Sequence, residues 1–288
     1  MVILAPDLLT KNLIMKNILV PVDFSKAALN AANYSVSFAM SLDANVYLLN
    51  VLPLPVIIDD PILASVLITQ AELLELNKRW MNEQVELLSK KTGKKIKGFV
   101  IEGLPLEIIA ETANEINAGL IIMGMKGRGK SNSVFGSTAT AVVRKSGFPV
   151  LVIPEKGDYH PLRNITFASD FDADIEADSY DPLIKIAQKL NITMCILNVQ
   201  KKDCALGAER TIGKMNTSFA FKEIHPEFHS IYDKNVEDGI NTFMEKNPTD
   251  VLAMVAHPHN LFERVFGTVH TKEMSYQTKI PLLILPEK

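Results

Sequence analysis

Several things are scarce in this 288-residue chain, and each shortage removes a class of protein. Only two cysteines occur, Cys195 and Cys204, so a disulfide scaffold is excluded by count. Both are expected as reduced thiols of a cytoplasmic protein. No apolar run approaches the roughly 20 residues that a membrane helix requires. Basic residues are not in excess: 30 Lys and Arg stand against 33 Asp and Glu, a formal charge of −3. That argues against nucleic acid as a partner, because a phosphate backbone asks for a concentrated basic face. Apolar residues, by contrast, make up 47% of the chain, and its length suggests about two domains.

Residues 1–15 read as an N-terminal extension. The stretch opens without Lys or Arg, carries Pro6 and Asp7, and has no small-residue cleavage pattern, so it is not expected to be a signal peptide.

Beyond it the chain repeats itself. NILVPVDF at 17–24 resembles NITFASDF at 164–171, and LLNV at 48–51 matches ILNV at 196–199. VFGS at 134–137 matches VFGT at 265–268, and PVLVIPEK at 149–156 matches PLLILPEK at 281–288. The pairs run in the same order, which defines two tandem domains, 16–156 and 161–288, with a linker marked by Gly157, Asp158 and Pro161. In the first, strands are expected at 17–22, 46–51, 96–103, 119–124 and 149–154. Helices are expected at 26–41 with Ser25 as N-cap, at 70–90, at 105–117 starting on Pro105, and at 138–145. Apolar positions of the second helix include Leu73, Leu74, Leu76, Trp80, Val85 and Leu88. Strands of this kind alternating with helices predict a doubly wound α/β architecture with helices on both faces of a parallel sheet. The offset between repeats falls from 147 to 131 residues, and the extra length is expected as a loop at 53–69.

The stretch GMKGRGKS, Gly124 to Ser131, fits the phosphate-loop pattern G-x-x-x-x-G-K-[ST]. In that motif a helix starts at the Gly-Lys-Ser step. Here Asn132, Ser133 and Gly136 would occupy its first turns, and all three favour caps and loops. A better start lies at Ser137 or Thr138, ahead of Ala139, Val142 and Val143, with Gly147 and Pro149 closing the helix. The second repeat has Asn260, Leu261 and Phe262 where the first has Gly129, Lys130 and Ser131. The Gly-Ser/Thr helix start is therefore shared and Gly-Lys-Ser is not.

These features together resemble the universal stress protein family: ILVPVDFS, the glycine loop after the fourth strand, the Gly-Ser helix start and the closing PVLVIP. The family's nucleotide motif is G-x2-G-x9-G-[ST]; this chain has Gly124-x2-Gly127, eight residues, then Gly136-Ser137, one residue short. The resemblance implies five parallel strands in the order 3-2-1-4-5 in each domain, with an adenine nucleotide (ATP, ADP or AMP, with or without magnesium) at the carboxyl edge. That edge is also where doubly wound sheets bind ligands, at the switch point between strands 1 and 4. By resemblance, Pro21, Val22 and Asp23 contact adenine or ribose and Val51 meets the adenine ring. Met123, Gly124, Gly127, Gly136, Ser137 and Thr138 take ribose and phosphate, and Arg128 and Lys130 add positive charge. The residues also admit plainer readings: Asp23 as a helix cap, the glycines as turn formers, Val51 as core.

In the second domain Asp170 persists, but 255–260 lacks glycine and Pro258 stands where Gly127 would be. That domain is expected to be structural. His225, His229, His257, His259 and His270 fall there, but Pro226 and the strand-like FHSIY remove the helical geometry that the His225-x3-His229 spacing would need for a metal, and Asp172, Asp174, Glu176, Asp178 and Asp181 read as a solvated acidic run. The resemblance further implies that the final strands pair antiparallel across the domains as an internal pseudo-dimer, and that the whole chain forms a homodimer. The expected function is nucleotide-dependent stress sensing or regulation. The alternatives are a ligand-free interaction scaffold and, at most, a slow ATP hydrolase.

Overall fold

A computed structural model describes residues 15–54, 69–125, 137–200, 207–256 and 280–287. The first half holds β1 (Asn17–Pro21), α1 (Lys26–Leu42), β2 (Asn45–Leu52), α2 (Gln70–Thr92), β3 (Lys97–Glu102), α3 (Pro105–Glu115), β4 (Leu120–Met125), α4 (Ser137–Lys145) and β5 (Val150–Pro154). The second holds β6 (Asn164–Ala168), a 3-10 turn (Ala177–Tyr180), α5 (Asp181–Leu190), β7 (Thr193–Gln200), α6 (Ala208–Ala220), β8 (Glu227–Tyr232), α7 (Val236–Lys246), β9 (Val251–Ala256) and β10 (Leu282–Pro286).

The strands form one sheet in the order β3-β2-β1-β4-β5-β10-β9-β6-β7-β8. Each half is parallel with the order 3-2-1-4-5, and the halves meet where β5 and β10 pair antiparallel, Leu151 opposite Leu283. Side chains alternate across this sheet with period two. Ile18, Val20, Leu48, Ile122, Leu151 and Leu283 enter one core layer, and Leu19, Leu49, Ile121, Val150, Leu282 and Ile284 enter the other. Apolar residues on both faces are what a sheet covered by helices on both sides requires.

Local signals set the helix ends. Ser25 Oγ accepts from Ala28 N–H at 3.3 Å to start α1, and Asp43 ends it in the left-handed region at φ 56°. Thr69 and Glu72 form a capping box at α2, and Gly93 closes it at φ 65°. The linker is tied back by Asn30, whose Nδ2 donates to the carbonyls of Pro154 and Gly157, and by Tyr159, whose ring meets Tyr34 edge-on at 5.1 Å.

Four expectations are corrected. The length difference between halves is not all loop: α2 has 23 residues and its counterpart α6 has 13, so ten of the extra residues are helix. Residues 55–68 lie outside the described ones. Trp80 is not a core residue of α2; it is 41% exposed, because its ring packs on the Phe24 turn at 5.4 Å rather than on the sheet. Ser137 and Thr138, expected as caps, are already helical residues of α4, and the residues before Ser137 lie outside the described ones. β4 runs one residue past its expected end at 124, through Met125, and pairs Gly124 with Ile153.

Candidate functional site

The switch point is built by the chain reversal after β1. Val22 N–H donates to Leu49 O at 2.7 Å, and its carbonyl accepts from the buried Asn50 Nδ2 at 2.8 Å. Phe24 then takes a left-handed φ of 57°, which is costly for a side chain of this type. Its packing on Trp80 helps to hold it there. The turn sets Asp23 at the mouth of the crevice, with Oδ1 accepting from Ser25 N–H at 3.0 Å. The helix cap is Ser25, so Asp23 is not needed for that task.

Pro21, Val22, Asp23, Val51, Met123, Gly124, Ser137 and Thr138 line a single cleft of about 260 Å³. Eight of the twelve residues singled out from sequence are therefore neighbours. Gly127, Arg128, Lys130 and Gly136 lie outside the described residues. Sequence reasoning missed Ser25, Leu49, Pro105 and Ile109. Leu49 could have been found from its two-residue spacing to Val51. Pro105 and Ile109 follow from topology, because α3 must start at the same carboxyl edge that the strands reach.

The cleft is divided chemically. Leu49, Val51, Met123 and Ile109 give it an apolar floor suited to a flat ring. Asp23, Ser25, Ser137 and Thr138 give it a polar rim. The first turn of α4 brings the positive end of its dipole to that rim, which favours an anion.

Gly124 is required by packing. A Cβ there would collide with the carbonyl oxygen of Ala27 and stand 2.8 Å from Ala28 N. The glycine thus lets the first turn of α1 lie directly on β4, and that turn forms one wall of the cleft.

The second half departs at this point. Its β6 turn keeps the construction: Phe171 has φ 57°, and the buried Asn198 Nδ2 donates to Ser169 O at 2.7 Å. But the fifth residue of β9 is Val255, buried, where the fifth residue of β4 is Gly124. A β-branched side chain occupies the space a helix turn would need. The helix after β6 accordingly starts late, at Asp181, and has 10 residues where α1 has 17. A different opening, of about 250 Å³, is lined by Asp170, Asp172, Asp174, Glu209 and Arg210. Four carboxylates disfavour a phosphate there. Among the described residues no cluster of His, Cys, Asp and Glu could hold a metal ion.

Glu237, in the first turn of α7, is buried, and burial followed by the neighbouring Asp238 pushes its carboxyl up to about 7. A raised folded-state value means the folded protein binds the extra proton. The stability tied to that proton is fully present below the ordinary value of 4.5 and is lost as pH rises through about 7. Glu237→Gln is expected to stabilise the protein by roughly 1–2 kcal/mol at about pH 8 and to leave it little changed at about pH 4. Thermal melts at the two pH values measure this; equal melting temperatures for variant and wild type at the higher pH would contradict it.

Fold and cleft together define a doubly wound α/β protein with a built crevice at the switch point of its first half. Comparison with known proteins agrees. Residues 15–154 match the sequence model of the Universal stress protein family. Universal stress protein MJ0531 of Methanocaldococcus jannaschii is 32% identical over 139 residues, which are 48% of this chain and 81% of that protein. Universal stress protein MJ0577 of the same organism is 30% identical over 156 residues, 49% of this chain and 96% of its own. A universal stress protein from Archaeoglobus fulgidus, at 16% identity, shares the fold over 94% of this chain and 98% of its own, with a TM-score of 0.67. The chain belongs to the universal stress protein family. Among the described residues no helix is long and apolar enough to cross a membrane.

Proposed function

We propose that the first half binds ATP or another adenine nucleotide, with or without magnesium, and that the chain acts in the cytoplasm as a nucleotide-dependent stress sensor or regulator. The second half serves as structure. The observation that carries the reading is the convergence of Asp23, Val51, Met123, Ser137 and Thr138 on one cleft with an apolar floor and a helix N-terminus at its rim. In this reading the adenine lies on Val51 and Met123, Asp23 accepts from ribose or adenine, and the phosphates meet the N–H groups of α4 and the segment 126–136. Val255 in place of glycine, and the carboxylates around Asp170, favour a second half without nucleotide.

The test is mass spectrometry of nucleotide that co-purifies with the full chain, followed by calorimetric titration with ATP. A bound adenine nucleotide is expected, and Asp23→Ala is expected to weaken binding by at least about tenfold, the loss of a charge-assisted hydrogen bond. Lys130→Ala is expected to weaken it only modestly. No co-purified nucleotide and no heat at millimolar ATP would sink the proposal in favour of a ligand-free scaffold. Loss of binding together with a fast ATPase in Lys130→Ala would instead point to a phosphate-loop hydrolase.

A further inference from the structure

The two halves share a fold but not a surface. In the first half α2 lies over the edge strand β3, where Gly98 makes room: a Cβ there would stand 2.6 Å from Met81 Cγ and 2.8 Å from Val85 Cγ2. In the second half the equivalent helix is ten residues shorter, and the equivalent strand residue is Phe228. The equivalence follows from register, since Gly98 stands beside Leu48 and Phe228 beside Ile196, each the fourth residue of its strand.

α6 is also turned the unusual way round. It buries Gly213 and Thr217, and a Cβ on Gly213 would collide with Phe171 O. It exposes Ile212, Met215 and Phe219, which are 53%, 67% and 70% accessible and share one stripe at helical spacing. A surface helix of a free-standing protein shows the reverse polarity. Beside the stripe, Phe228 and Tyr232 on the same side of β8 are 37% and 65% exposed. Lys214 Nζ sits 5.8 Å from the centre of the Phe228 ring, so the strand aromatics lie along the flank of α6.

At about 200 Å² for a full side chain, these five residues present roughly 600 Å², as large as the largest apolar patch of an ordinary monomer. Two such patches face to face would bury roughly 1,200 Å², which reaches the size of a stable interface. The patch is also complementary to itself. If two α6 helices cross antiparallel about Met215 and Asn216, Ile212 of one lies opposite Phe219 of the other. Glu209 in the first turn then lies opposite Lys222 just past the helix end, and both are exposed. The helix dipoles oppose as well. We propose that the α6–β8 face is the surface on which a second copy of this chain docks, across a two-fold axis near Met215.

The test is light scattering after size exclusion, with sedimentation equilibrium, on the full chain and on Met215→Glu/Phe219→Glu. Wild type is expected to be a dimer. The double variant is expected to be a monomer with unchanged circular dichroism, its dissociation constant raised more than about thirtyfold by charges placed at the centre of the contact. Leu87→Glu, on the exposed face of α2, is the control and should remain dimeric. Should the double variant fail to fold, Tyr232→Ser carries the test and is expected to weaken the dimer several-fold. A wild-type monomer at the highest soluble concentration would overturn the proposal, whether the face then receives another macromolecule or nothing. So would a dimer that survives these substitutions.

Discussion

Gly124→Val is expected to abolish nucleotide binding and to lower the melting temperature together. The valine would stand where the Ala27 carbonyl and the Ala28 amide lie, both backbone atoms of the first turn of α1. Backbone of a capped helix yields less easily than the end of a side chain. The turn must move off β4 or unwind, a cost of about 1–3 kcal/mol for overpacking, with more where backbone is displaced. Movement of that turn takes Ala27, Ala28 and the Ser25 cap with it, and all three line the cleft. The second half shows the outcome on an equivalent strand: with Val255 in β9, the helix after β6 begins late, at Asp181. Titration calorimetry and a thermal melt measure both effects. A variant that keeps wild-type affinity would disprove the packing role assigned to this glycine, while one that loses affinity without losing stability would make Gly124 a ligand contact instead.

The second large effect lies at the seam. Leu283 is 1% exposed, faces Leu151 across the antiparallel pair, and shares its core layer. Leu283→Asp places a carboxylate where no partner or water can reach it, a loss above about 4 kcal/mol. Leu283→Ala, which leaves only a cavity, should cost about 2–4 kcal/mol. The single tryptophan, Trp80, reports on the first half alone, whereas far-UV circular dichroism reports on both. In urea the two signals are expected to coincide for wild type and to separate for Leu283→Asp, because the seam no longer couples the halves. Unchanged midpoints would show that the antiparallel pair contributes nothing to cohesion.

The fold was largely legible before any coordinates. Repeated strand motifs pointed to two tandem units, and Ser25 and Pro105 punctuate the helices as local chemistry demands. The site was legible in part. Asp23, Val51 and Met123 lie at or just past the carboxyl ends of their strands, the edge where doubly wound sheets open a crevice, so pattern and architecture point to the same cleft. Gly124 lies in the cleft as its motif suggests, but a second constraint on it was not legible: contact with Ala27, about a hundred residues earlier in the chain, which no local pattern encodes. Trp80 misled for a similar reason: helical period assigns it to an apolar face, and only the Phe24 turn decides what that face meets. The exposure of Phe219 was not readable, because the pattern of α6 is amphipathic whichever side faces the sheet.

The antiparallel junction of β5 and β10 has a directional consequence. All strands of the first half run one way and all strands of the second run the other. Strands of five to eight residues therefore separate the carboxyl ends of the two halves by about 15–25 Å along the sheet. A small molecule at Asp23 and anything that recognises the acidic margin around Asp170 approach from opposite sides of the molecule. They cannot exclude one another by bulk. Whatever the one tells the other must travel as strain through shared strands, which makes the chain a two-sided plate with separate addresses.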